Sequence, residues 1–540
     1  MVVILKLKRL CYLGGIGGSM ANKILLNPFA DIKGFIKSNK FNIVFTFLLG
    51  FLTFGIRIIY LNYGMDTLNY MSNNDDYLKH WIRIGRPGMY FFKKLFGPYM
   101  NIWLANISFV IFLCAASVAL CFLATLKLQL KQINISKNKL LIIPSLLITS
   151  PLFIQQYYFD LQNFEFSLSI FLVVTAIISS LYTNTINKWW IYLFQLICLF
   201  VSFSVYQSFP LFVAVVIIYC IYLDLYCDFT NGNKKTIRSL FRSYLPTVIN
   251  TVVSFALYEM LEKMMLNIFD LRKSSYLTGQ ILWGGEPTTL TIKRIALIIK
   301  SQLFTDFSYS FNCSLLIGIF LMLFVWVIKY LGDDSNIVNS ILFLILLICL
   351  VVLAFSFVIL LGNTPTPRAY VPTYPLINTI LFFISILYLN KKLLVNSLLL
   401  IVAIFSAKQL LLSTNLLQAD QIRYEQDLQF INRIEVQLDN RHVNPETHKL
   451  MLIGYRDNNT ALNIEDDLVG MSMLRFGDFT GNTNAMTENV VSIMNLNGYN
   501  IKSVNSKEYK KLYDEGNRMQ KFPEKESVLV KNDVVIVKIN

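Results

Sequence analysis

The sequence has few charged residues and few of the side chains that usually bind metals. Only 15% of its 540 residues are charged, against roughly 25% in an average soluble domain. None of the eight cysteines has CxxC spacing, and the three histidines are scattered. Neither a zinc site nor a disulfide framework is therefore indicated. By contrast, 55% of the residues are hydrophobic and 14% are aromatic, which predicts an integral membrane protein.

Positive charge exceeds negative charge, with 48 Lys and Arg against 33 Asp and Glu. In a membrane protein such an excess is first expected in cytoplasmic loops, where it sets the orientation of the chain. No basic motif indicates nucleic acid, so we predict the lipid bilayer as a partner and no nucleic acid.

Long apolar runs predict a polytopic α-helical membrane protein, because a spanning helix needs about 20 mostly apolar residues. We predict about eleven transmembrane helices, two of them in short runs with polar residues. The runs are 41–61, 102–126, 139–156, 166–183, 189–206, 209–227, 246–267, 313–330, 337–361, 371–389 and 393–413.

The distribution of lysine and arginine predicts the orientation. Basic residues before residue 41 and in the second, fourth, sixth and tenth connections all fall on one side if the N-terminus is inside. We therefore predict a cytoplasmic segment 1–40, a transmembrane domain 41–413 with an outer loop 62–101, and an extracytoplasmic domain 414–540.

The outer loops carry cations that this orientation does not explain. Interfacial snorkelling is one explanation, considered for Arg57, Lys93, Lys94, Lys293 and Lys300. The other is an anionic lipid ligand, because the guanidinium fork binds phosphate in pairs of hydrogen bonds. Turn-forming neighbours constrain Arg86 and Arg368, so we predict both as phosphate ligands.

Acidic residues share these loops, including Asp66, Asp75, Asp76 and Asp160. A carboxylate can take a proton from a hydroxyl nucleophile, and nearby cations can stabilise a departing phosphate. The combination suits sugar transfer from a lipid phosphate. No metal is needed if arginines supply the positive charge, although a divalent cation is not excluded.

Short motifs in these positions resemble those of the type II O-antigen glucosyltransferases and their Gram-positive relatives. They are YLNYGMD at 60–66, Trp81-x-x-x-Gly85-Arg86-Pro87, Tyr206-Gln207-Ser208, and the C-terminal stretch from Gly498. The resemblance runs over most of the chain. It implies a GT-C-like membrane glycosyltransferase that takes a hexose, expected to be glucose, from a polyprenyl-phosphate carrier.

The resemblance also assigns roles to residues. Asp66 is the expected catalytic base, followed by Asp76 and then Asp75, because the family often has paired aspartates where this chain has Asp66-Thr67. Residues expected to shape the sugar site are Asp160, Tyr206, Gln207, Trp81 and His80. The implied setting is the bacterial plasma membrane, a cell-envelope polysaccharide or glycolipid acceptor on the outer face, and a flippase and a carrier-charging synthase as pathway partners.

The last 125 or so residues have a soluble composition and predict a small α/β domain. HKLMLIGY is typical of a buried strand, and SVLVKNDVVIVKIN of two strands joined at Lys-Asn-Asp. We expect acceptor docking or a structural role here and no catalysis. For the whole chain, a lipid-linked sugar flippase and a polysaccharide polymerase stay open as alternatives.

Overall fold

The computed structural model of the chain is predominantly helical. It describes residues 27–64, 67–68, 74–96, 101–183, 185–232, 237–274, 278–304, 311, 314–330, 337–457, 462, 464–476 and 484–540. Side chains are not described at 74–76, 237–241 and 278.

Twelve described α-helices make up the first half of the chain. They are α1 (Pro28–Ser38), α2 (Lys40–Ile59), α3 (Asn74–Arg83), α4 (Pro87–Phe96), α5 (Ile102–Gln129), α6 (Lys137–Leu140), α7 (Ile142–Ile148), α8 (Leu152–Tyr157), α9 (Asn163–Ser179), α10 (Lys188–Val205), α11 (Phe209–Asn231) and α12 (Ile237–Ile268).

Eight further described α-helices follow in the second half. They are α13 (Thr288–Phe304), α14 (Ser314–Tyr330), α15 (Ile337–Ala354), α16 (Ser356–Leu361), α17 (Tyr374–Tyr388), α18 (Lys392–Asn440), α19 (Ala485–Leu496) and α20 (Ser506–Asn517).

Eight of the described helices are long and apolar enough to cross a membrane: α2, α5, α9, α10, α11, α12, α15 and α18. Two shorter apolar helices, α14 and α17, coincide with two more of the predicted spans. A polytopic helical membrane protein is thus the observed class.

The predicted span 139–156 is not one helix. It is divided into α6, α7 and α8, and two prolines, Pro144 and Pro151, lie within this stretch. Proline removes a backbone donor and disfavours a continuous helix. The segment is nevertheless buried, with α7 packed against α2, α5, α17 and α18, so its apolar composition reflects a core position.

A single helix of 49 residues, α18, connects the apolar bundle to the C-terminal domain. The boundary expected at residue 413 lies inside this helix. At about 1.5 Å per residue, α18 is roughly 74 Å long, far more than the roughly 30 Å of a hydrocarbon core.

The C-terminal domain contains a four-stranded sheet of β1 (Lys449–Ile453), β2 (Lys502–Ser503), β3 (Val528–Lys531) and β4 (Val534–Lys538) in the order β2-β1-β4-β3. β1 is parallel to β2 and β4, and β3 pairs antiparallel with β4. α19 and α20 pack on the sheet. The two strands expected around Lys-Asn-Asp are present, and Asn532 between them has a left-handed backbone with φ 53°.

Candidate functional site

A short connection between α8 and α9, residues 158–162, organises the polar cluster at the end of the bundle that faces the C-terminal domain. Asp160 Oδ2 lies 3.0 Å from Arg57 Nη2. Gln162 Oε1 accepts a hydrogen bond of 2.6 Å from Arg86 Nη1. Two arginines that are 29 positions apart in the sequence therefore contact side chains that are two positions apart.

The third arginine at this connection is Arg368. Its guanidinium carbon lies 4.0 Å from the centre of the Phe159 ring, and its Nε lies 3.5 Å from Asp467 Oδ2. Arg368 is therefore close to the Asp160 connection on one side and to the C-terminal domain on the other. Both arginines predicted as phosphate ligands border the same five-residue connection.

Asp160 also binds residues on both sides of Asp66, one through its backbone and one through its side chain. Its Oδ2 accepts the Gly64 N–H at 3.1 Å and the Thr67 hydroxyl at 3.3 Å. Asp66 itself lies outside the described residues, so its role as base stays a prediction. Asp160 therefore contacts the last described residue before Asp66 and the first one after it. Its expected part in shaping the sugar site also stays a prediction.

The protonation of Asp160 depends on its neighbours. The side chain is fully buried, and burial raises the pKa of its carboxyl above the ordinary value, while the Arg57 guanidinium and the Gly64 N–H act in the opposite direction. An ionised Asp160 therefore needs Arg57 beside it.

Arg57 is buried, at 2% exposure, and the snorkelling interpretation is wrong for this residue. Besides Asp160, its Nη2 donates to the Asn62 carbonyl at 3.2 Å, and its Nη1 lies 3.8 Å from Asp420 Oδ2. A buried guanidinium is tolerated where it is paired in this way. Arg57 thus links the end of α2 to α18.

Arg86 directly follows a turn at residues 84–85, whose carbonyls accept hydrogen bonds from two side chains of other helices or connections. Gly85 has φ +76°, a backbone conformation that glycine adopts without strain. Gln207 Nε2 donates to the carbonyls of Ile84 and Gly85 at 3.0 and 3.1 Å, and the Tyr258 hydroxyl donates to Gly85 O at 2.9 Å. These bonds fix the position of Arg86, which directly precedes α4.

Two aromatic rings lie against the Arg86 guanidinium. Its carbon is 4.3 Å from the Tyr206 ring centre and 5.7 Å from that of Trp81, distances at which a cation is attracted to a ring face. Trp81 is 4% exposed and belongs to a small apolar cluster with Leu78 and Met89. The structure therefore brings together four sequence-predicted residues: Trp81, Arg86, Tyr206 and Gln207.

The described side chains of this group do not include three other predicted residues, Asp75, Asp76 and His80. Asp75 and Asp76 are in the first turn of α3, but their side chains are outside the described set. His80 is exposed on α3, its ring centre 5.9 Å from that of Tyr77. Sugar contact by His80 stays a prediction.

Lys93 is a further correction to the snorkelling interpretation. Its Nζ lies 2.6 Å from Glu165 Oε1, and both side chains are 1% exposed. The pair joins α4 to the start of α9. Lys94, by contrast, is exposed.

Three contributors to this cluster, Gln162, Tyr258 and Asp420, were not predicted. Gln162 follows Asp160 by two residues, a proximity that could have suggested it. Tyr258 and Asp420 lie in long helical runs, where nothing local distinguishes them from packing residues. Among the described residues, no group of three or more His, Cys, Asp or Glu side chains is arranged to hold a metal ion.

The apolar helices and the buried polar cluster at one end of the bundle define a polytopic helical membrane protein with a candidate active site. A family model described as Glucosyl transferase GtrII matches residues 54–389. The chain belongs to this glucosyltransferase family, which confirms the resemblance seen in its motifs and makes it a glycosyltransferase. No significant match was found among curated proteins or solved structures.

Proposed function

We propose that the protein moves a hexose, glucose by family, from a polyprenyl-phosphate carrier to a cell-envelope polysaccharide or glycolipid, such as an O-antigen. The proposal includes a GT-C-like architecture in the bacterial plasma membrane, with the cluster and the C-terminal domain on the outer face. A flippase and a carrier-charging synthase would supply the donor.

The observation that supports this function best is the placing of Arg86 and Arg368 around residues 158–162, while Asp160 of the same connection holds Gly64 and Thr67. Cations suited to a phosphate thus border the connection that fixes the chain on both sides of Asp66. A general base beside bound cations is the combination that transfer from a lipid phosphate requires.

The reaction needs one proton acceptor and one stabilised leaving group. The acceptor hydroxyl oxygen bonds to the anomeric carbon, and its proton passes to the Asp66 carboxylate. The bond between the anomeric carbon and the phosphate oxygen breaks, and the lipid phosphate leaves with the electron pair. Arg86 and Arg368 compensate its charge through charge-assisted hydrogen bonds.

Asp76 and Asp75 are the next candidates for the base. Both lie in the first turn of α3, whose later turns carry Trp81 and lead into the Arg86 turn. Separate Asp→Asn variants at positions 66, 75 and 76 distinguish the three. The base is the position at which turnover is lost while the donor still binds.

The test is glucose release or transfer from radiolabelled polyprenyl-phosphate glucose by purified protein in detergent. Wild type is compared with Asp66→Asn, Arg86→Ala and Arg83→Ala. Arg83 is a matched control, because it is an exposed arginine on the adjoining helix α3. We expect activity for wild type and Arg83→Ala, none for Asp66→Asn, and a loss of about 100-fold or more for Arg86→Ala.

Two outcomes would contradict the proposal. Wild type that binds the lipid but never cleaves its glycosidic bond, with any envelope acceptor, would favour a flippase. Equal losses for Arg83→Ala and Arg86→Ala would show that the charge of the loop, and no particular arginine, matters for donor use.

A further inference from the structure

The C-terminal part of α18 reaches the segment that leads to Asp66. Asp420 is 5% exposed, and its Oδ2 accepts a hydrogen bond from Asn62 Nδ2. Its Oδ1 accepts the N–H of Gly470, in the C-terminal domain, at 3.1 Å. One carboxylate therefore connects the C-terminal domain to a residue four positions before Asp66.

Arg57 connects this carboxylate to the other support of the same segment. It donates to the Asn62 carbonyl at 3.2 Å, and it faces both Asp420 at 3.8 Å and Asp160 at 3.0 Å. Asp160 in turn holds Gly64. The chain before Asp66 is thus fixed at two points by two buried acids that share one arginine.

The same stretch of the C-terminal domain contacts the bundle elsewhere. The Asp466 carbonyl accepts a bond from Gln155 Nε2 at 3.1 Å, and Asp467 lies beside Arg368. Residues 466–470 therefore border both the Asp420 contact and an arginine predicted to bind phosphate. A domain attached only for acceptor docking would not need these buried contacts.

We propose that Asp420 is a positioning residue for the outer loop 62–101, which carries the proposed base. We also propose that the C-terminal domain is required for turnover. By holding Asn62 and Arg57, Asp420 fixes the described residues that lead to the proposed base, Asp66. The inference rests on the function proposed above. It also goes beyond the role in acceptor docking expected for residues 414–540 from the sequence, because their deletion would remove a support of the residues that lead to Asp66.

Asp420→Asn removes the charge and places an amide where Asn62 already offers a donor. The matched control is Asp427→Asn, two turns further along α18. Asp427 is 1% exposed and also binds the C-terminal domain, accepting from Ser472 Oγ at 2.7 Å and Met473 N–H at 2.8 Å. These bonds join it to the C-terminal domain, whereas those of Asp420 also reach the outer loop.

The measurements are kcat and the donor KM with radiolabelled polyprenyl-phosphate glucose, together with the thermal midpoint of each variant in detergent. A misplaced catalytic group costs turnover steeply, so we expect kcat of Asp420→Asn to fall by about tenfold or more with a donor KM within about threefold. Asp427→Asn should keep kcat within about threefold of wild type. Its thermal midpoint should fall by about as much as that of Asp420→Asn. If Asp420→Asn does not fold, Asn62→Ala removes the same bond from the other partner and carries the same expectation.

A rescue variant separates positioning from folding further. Asn62→Asp combined with Asp420→Asn exchanges donor and acceptor, and we expect it to recover part of the lost kcat. Equal kcat losses in Asp420→Asn and Asp427→Asn, or a loss confined to KM, would overturn the inference and leave the proposed function standing. Wild type without turnover would overturn both.

Discussion

Lys93 Nζ lies 2.6 Å from Glu165 Oε1, and neither side chain is accessible. The pair joins the helix that begins at Pro87 to the first turn of α9. Gln162, one turn before Glu165, binds Arg86. Two contacts therefore fix α4 against the region where α9 begins.

Removing one partner of this pair should destabilise the protein more than removing both. Lys93→Met leaves the Glu165 carboxylate buried without its cation, and we expect the free energy of unfolding to fall by about 3–5 kcal/mol. Adding Glu165→Leu should restore most of it. Unfolding in detergent followed by intrinsic fluorescence measures both variants.

The exposed neighbour Lys94 provides the control for that cycle. Lys94→Met should change stability by less than about 0.5 kcal/mol. A double variant as unstable as Lys93→Met alone would show that the packing of these two side chains, and not their charges, contributes to the free energy of unfolding.

Gly85→Ala should reduce donor turnover by disturbing the turn before Arg86. Alanine at φ +76° is strained, and its Cβ would collide with the Gln207 amide, which holds the turn. We expect a stability loss of about 1–2 kcal/mol from the backbone alone. The control is Gly279→Ala, where a Cβ meets nothing within 4 Å, and equal turnover in the two variants would contradict the role of the turn.

Asp467→Asn tests whether Arg368 binds the donor phosphate. The Asp467 carboxylate lies 3.5 Å from Arg368 Nε and would compete with a phosphate for the guanidinium. Because this pair is mostly buried, with side chains 19% and 8% exposed, we expect a stability loss of about 1–3 kcal/mol, and a lower donor KM because the competing charge is removed. A raised KM would mean instead that Asp467 holds Arg368 in its working position.

The orientation is tested by labelling cysteines introduced at exposed lysines. We expect Lys510→Cys, on α20, to react with a membrane-impermeant maleimide in spheroplasts. Lys391→Cys, before α18, should react only after permeabilisation. The parent chain measures background from the native cysteines, and the reverse pattern would place the C-terminal domain in the cytoplasm.

The sequence predicts well those features that depend on long apolar runs or strand alternation. Spans such as α5 and α11, and the pair β3 and β4, coincide with their predicted segments. The run 139–156 differs from the prediction in being three short helices instead of one, which Pro144 and Pro151 explain. Hydropathy alone does not show such breaks, and whether the segment crosses the membrane stays a prediction.

The sequence predicts those residues of the candidate site that lie in short motifs. Trp81, Arg86, Tyr206 and Gln207 lie together as expected from their motifs. Arg57 and Lys93 were interpreted as snorkelling cations because their acidic partners are 103 and 72 positions away. Such pairing depends on tertiary packing, which one sequence without its fold does not contain.

The unbroken course of α18 makes the C-terminal domain a rigid extension of the last span. An inserted residue turns everything beyond it by about 100° and advances it by about 1.5 Å. One residue added between positions 413 and 420 would therefore rotate Asp420 away from Asn62, whereas seven would nearly restore its angle but displace it by about 10 Å. The length of α18 and the angle between its residues thus together determine whether Asp420 reaches Asn62.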